Sequence, residues 1–177
     1  QINTNVSPLE EIDSHRRIQL SDAVAPHDVP SKFLLLLTED DLNLASALPH
    51  TPVATLGAVA TENRSPLLIG ETAQQFASTS TQNSCNRAPL ISYTAWSHAI
   101  IEACRQHNTT TVVTPYAPIG PTATAIKKTH TDLAAAGIEL IQVRHAFDTI
   151  AWRHSMKGFF AMKKAIPLIL RELDIAQ

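Results

Sequence analysis

The densest set of side chains able to bind or react lies in DTIAWRHSMKGFFAMKKAIP, residues 148–167. There Trp152, Phe159 and Phe160 alternate with Arg153, His154, Lys157, Lys163 and Lys164. Aromatic rings so interleaved with bases can stack on a planar ligand or a nucleobase while the cations hold phosphate. The spacing also has a plainer reading, and favours it. Trp152, Phe159 and Ile166 stand seven apart, so one face of a helical segment would be core and the lysines a solvated face. A second candidate is the turn from Pro115 to Thr122, with Tyr116, Pro118, Gly120 and Thr122 as ligand-binding candidates. It follows a β-branched run and opens a helix, the place where free N–H groups and a positive dipole end can receive an anion. With one glycine and no following Lys-Ser or Lys-Thr it is not a P-loop, and ordinary turn chemistry is the favoured reading.

The eight histidines fall at no recognised metal spacing, and Ser84 and Ser97 lack the flanking glycines of a nucleophile elbow. Cys85 and Cys104 are the only cysteines and read as buried small hydrophobes. No residue is nominated as catalytic or metal-binding.

The elements that must position these groups follow from periodicity. KFLLLLTEDD (32–41) is a continuous apolar run ending in acids, which suits a strand buried on both faces of a parallel sheet. A short helical stretch near Asp41 to Leu48 leads to a second strand from Pro52 to Val59. Ser65 and Pro66 read as cap and first position of a polar, Thr- and Gln-rich helix that fades before Pro89. From Tyr93, the series Trp96, Ile100, Cys104 marks the apolar face of a helix. TTTVVTPY (109–116) is a strand, a helix runs from Pro121 to Gly137, and Ile138 to Val143 is the next strand. This order predicts an α/β fold, a Rossmann-like doubly wound parallel sheet of four or five strands flanked by helices. The Pro-containing residues 1–31 read as a linker or the end of a preceding domain, and 32–177 as the α/β domain.

Composition sets the class. The 177 residues, 44% hydrophobic and 17% charged, suffice for one domain with a full core. No apolar run approaches the ~20 residues of a membrane-spanning helix. The chain opens on Gln1 without a signal-peptide pattern, which suggests a fragment or processed product, and its few cysteines fit a reducing, cytoplasmic setting. Net charge is −2, but unevenly spread: residues 1–62 hold nine acids and three bases, and 144–171 hold six bases against Asp148. The basic end can face an anion or an acidic partner.

Three stretches resemble the photolyase and cryptochrome superfamily, specifically bacterial photolyase-like FAD-binding proteins in which an α/β domain closes the chain. They are Arg64-Ser65-Pro66-Leu67, the run from Val112 to Pro121, and the run from Asp148 to Phe160. Related chains carry Trp-Pro-His-Ala-Thr followed by Lys-Gly-Phe-Phe; Trp152, His154, Lys157, Gly158, Phe159 and Phe160 match, while Arg153, Ser155 and Met156 depart. The resemblance spans about residues 33–173. It implies a preceding helical domain that holds FAD, whose excited state passes an electron to damaged DNA or senses light. It further implies that the block from Trp152 to Phe160 packs on that domain or approaches DNA. An antenna chromophore, a folate or a deazaflavin, would sit near Tyr116 to Gly120. Two rival readings stand beside it: a stand-alone nucleotide-binding module that uses the Gly120 turn for phosphate, and a structural or interaction lobe without a ligand.

Overall fold

A computed structural model describes residues 22–88, 90–155 and 157–175. The four Leu side chains of β1 (Leu34–Thr38) are wholly buried, and they organise the rest. Alternate strand residues point to opposite faces. Leu34 and Leu36 therefore enter one core with Val112, Trp96, Ile100 and Leu133. Leu35 and Leu37 enter a second with Phe33, Leu44, Val113 and Val143. Each such side chain contributes roughly 1.5–3 kcal/mol by leaving water. Two cores back to back require helices on both faces, which is the doubly wound arrangement.

The other strands are β2 (Ala54–Ala58), β3 (Leu90–Ile91), β4 (Thr111–Pro115) and β5 (Glu139–Val143). All pair in parallel, in the order β3-β2-β1-β4-β5. The helices are α1 (Leu44–Ala47), α2 (Glu71–Ser84), α3 (Trp96–Gln106), α4 (Pro121–Ala135), α5 (Ala146–Ser155) and α6 (Phe159–Glu172). The predicted Rossmann-like fold is thus observed, with the fifth strand supplied by the two-residue β3. Among the described residues no helix is long and apolar enough to cross a membrane.

Several boundaries differ from the expectation. Ser65 does not cap a helix: its Oγ accepts the Leu67 N–H at 3.0 Å in a local turn, and α2 begins six residues later, at Glu71. Leu67 and Leu68 project into solvent, so no apolar face holds that stretch in a helix. The sheet domain also starts before residue 32. Val24 donates to Gln142 O at 2.9 Å and accepts from Arg144 N at 3.1 Å, extending the sheet beside β5, and Val29 is buried in the second core. Residues 1–21 of the expected linker lie outside the described residues.

The largest departure concerns Trp152, Phe159 and Ile166. Their seven-residue spacing predicts one helix with a core face, yet the chain forms two helices. α5 ends at Ser155, and Gly158 enters α6 at φ 83, ψ 177, a conformation essentially reserved to glycine. The break rotates the second half out of register. Phe159 and Phe160 are 71% and 78% exposed, and Ile166 is 45% exposed. α6 rests mainly on α5, and Ile169 is its buried residue.

Candidate ligand cleft

Strand β1 sends its chain toward β2 on one side, and β4 begins the opposite wing, so the sheet's topological switch point lies between β1 and β4. In open α/β sheets ligands bind there, outside the carboxyl ends of the strands. A cleft of about 780 Å³ occupies this place, within the roughly 300–1,000 Å³ usual for small-molecule sites.

Each wall comes from a strand end. After β1 come Glu39, Asp40 and Asp41, and beyond β2 comes Arg64. After β4 come Tyr116, Pro118 and Gly120, and after β5 come Arg144, His145 and, from α5, Asp148 and Trp152. Gly120 opens α4 at φ 99, ψ −172, again a glycine conformation, with Pro121 at the first helical position. That pair explains the sharp turn.

Most lining charges are already committed. Glu39 is nearly buried and accepts the Ala60 N–H through both oxygens, at 2.9 and 3.1 Å, and the Thr61 hydroxyl at 3.1 Å. It therefore pins the end of β1 to the chain leaving β2. Arg64 pairs with Asp40 and lies 3.6 Å from Glu39. Asp40, the main influence, holds the Arg64 guanidinium above its usual range. Asp41 accepts Asn43 N at 2.9 Å through Oδ1 and meets His145 Nε2 at 2.7 Å through Oδ2.

Arg144 differs from these. Its guanidinium lies 5.2 Å from the centre of the Tyr116 ring, Nε donates to Thr149 Oγ1 at 3.0 Å, and Nη1 is buried with no hydrogen-bond partner. Trp152 Nε1 is likewise buried and unpartnered. Both groups are donors only, so what would satisfy them is an acceptor. Unsatisfied buried donors cost about 1–3 kcal/mol each, and these two, like Thr122 Oγ1, are closed off from solvent.

Tyr116, Pro118 and Gly120 thus stand in the cleft as the turn suggested. Thr122 does not: it is buried at the second position of α4, its Oγ1 closed off from solvent. Of the aromatic-basic block, Trp152 joins the cleft. His154 is half-buried, and Lys157, Gly158, Phe159 and Phe160 lie exposed along the junction with α6. The structure therefore divides that block between two places. The cleft residues that periodicity missed are Glu39, Asp40, Asp41, Arg64, Arg144, His145 and Asp148. Their signal was positional: a charged side chain just beyond a strand's carboxyl end.

No family model matches this chain, and no curated protein matches its sequence. The class that fold and site define is a doubly wound α/β domain with a ligand-sized cleft at its switch point.

Proposed function

We propose that this domain is the α/β accessory lobe of a photolyase- or cryptochrome-like flavoprotein. It docks through α5 and α6 onto a helical FAD-binding domain of the same parent chain and offers its cleft to an antenna-type planar ligand. The observation that carries this reading is the outer surface of α6. Two adjacent phenyl rings, Phe159 and Phe160, meet edge to face at 5.5 Å on a helix supported mainly by α5, with Ile166 and Leu168 exposed beyond them. Large exposed apolar groups on a helix that rests mainly on one neighbour suit a surface made for a partner. The exposed Lys157, Lys163, Lys164 and Arg171 among them favour an acidic partner.

In this reading the photochemistry belongs to FAD in the partner domain, and the lobe needs no catalytic residue of its own. The parent protein would repair damaged DNA in light, or sense light, in the cytoplasm. The feature that suits the cleft to a folate or deazaflavin antenna is its pair of aromatic side chains, Tyr116 and Trp152, which can meet a planar ring. A ligand-free interaction lobe rests on the same α6 surface and parts from this reading only at the cleft.

The test is an absorbance spectrum of a longer chain carrying the upstream domain, beside that of the 177-residue domain alone. Flavin bands in the longer chain only are expected. A longer chain that stays colourless and cannot be reconstituted with FAD contradicts the proposal.

A further inference from the structure

The two ends of the sheet differ in charge. All five strands run in parallel, so the loops that leave their carboxyl ends share one edge of the molecule. Those loops and the first helical turns after them hold Glu39, Asp40, Asp41, Glu62, Glu71 and Asp148, against Arg64, Arg144 and the imidazole of His145. The loops that enter the strands from the opposite end hold Lys32 and Arg87 and, among the described residues, no carboxylate. Both guanidiniums of the acidic end are engaged within it: Arg64 on Asp40 and Glu39, Arg144 on Thr149 and the Tyr116 ring. Glu62 and Asp148 are exposed and, among the described residues, pair with no base.

Carboxylates in a first helical turn favour the helix dipole, which accounts for Glu71 and Asp148 by themselves. It does not account for the apolar side chains on the same loops. Leu67 and Leu68 follow β2, Ile119 follows β4 at the lip of the cleft, and Phe147 follows β5 next to Asp148. All four are more than half exposed, and Leu68 is wholly so. Large apolar groups on the loops of one edge suit a surface that a partner covers.

From this we infer that the carboxyl-end edge of the sheet is a docking surface for a basic, apolar polypeptide segment of a partner protein. Lys or Arg of that segment meets Asp40, Glu62 and Asp148, while its apolar side chains cover Ile119, Phe147 and the Leu67–Leu68 turn. Charge complementarity selects this partner. Nucleic acid and an anionic bilayer both bring phosphate to an excess of carboxylates and are repelled. A polyamine answers the charge but leaves the apolar groups in water. The inference uses the lip of the cleft and the loops beside it, not its interior, and stands whatever the cleft or α6 holds.

The probes are three fluorescein-labelled peptides: Leu and Lys spaced as an amphipathic helix, the same helix with Glu for Lys, and oligolysine. Titrated into the 177-residue protein and followed by fluorescence anisotropy, the Leu–Lys helix is expected to bind at least about tenfold more tightly than either of the others. Added salt should weaken it. Ile119→Ser, Phe147→Ser and Asp148→Asn, all at exposed positions, are each expected to weaken it about threefold to tenfold with unchanged urea midpoints. Phe159→Ser on α6 should leave binding as it is. Oligolysine binding as tightly as the Leu–Lys helix, or indifference of that helix to both Ile119→Ser and Phe147→Ser, overturns the inference, since charge alone would then account for the attraction. Failure of the Leu–Lys helix to bind, or equal binding of the Leu–Glu helix, overturns it as well. None of these outcomes touches the docking of α6, which the flavin spectrum of the longer chain tests separately.

Discussion

His145 Nε2 stands 2.7 Å from Asp41 Oδ2, joining the loop after β5 to the loop after β1 beyond the end of β4, the strand between them. The two side chains are 26% and 21% exposed, so water screens the contact only in part. The tie gives the cleft's rim a fixed width. His145→Ala and Asp41→Asn are each expected to cost about 1 kcal/mol in urea unfolding, with a coupling of about 0.5–1 kcal/mol in the double-mutant cycle. Strictly additive losses would mean the contact does not hold the loops together.

Gly120 and Gly158 both enter helices in a backbone conformation that side chains avoid, and a Cβ at either would touch nothing within 4 Å. Replacement by alanine therefore isolates backbone strain from steric conflict. Gly120→Ala and Gly158→Ala are each expected to lower stability by about 1–3 kcal/mol.

Cys85 is 2% exposed, and burial pushes its thiol from an ordinary value of 9.0 up to about 11. Burial raises Cys104 in the same direction. Both should resist iodoacetamide at pH 8 in the folded protein and react in denaturant, as mass spectrometry would show. The folded-state value is the higher one, so the unfolded chain binds fewer protons above pH 9. Stability is then fully present below about pH 9 and declines toward pH 11. Substituting Cys85 by Ala should flatten that decline in urea midpoints measured across the interval.

Phe159 and Phe160 contribute little to the folded domain by itself. Phe159→Ser and Phe160→Ser are expected to shift its stability by no more than about 0.5 kcal/mol, the usual range for surface positions. Leu35→Ala, in the centre of β1, should cost about 2–5 kcal/mol. Thermal or urea denaturation of the three variants checks the contrast.

The sheet was legible because its strands carry their own signal. Leu34 to Leu37 and Thr111 to Val113 are continuous runs that a strand buried on both faces requires, and Trp96, Ile100 and Cys104 mark α3 unambiguously. β3 escaped because Leu90 and Ile91 are too few to show a period. The Tyr116 to Gly120 wall was visible through its turn residues. Glu39, Asp41 and His145 were not, since their significance lies in strands that meet only after folding. Phe159 was assigned to a core face because seven-residue spacing assumes an unbroken helix. Gly158 breaks it, and one glycine in a sequence does not announce its φ.

Hydrogen–deuterium exchange along α6 tests the central proposal most directly. It would be measured on the 177-residue domain and on a longer chain bearing the proposed upstream helical domain. The docking account predicts that Phe159 to Leu170 exchange quickly in the domain alone, where the helix leans mainly on α5, and become protected in the longer chain. Identical exchange of α6 in the two proteins would contradict it.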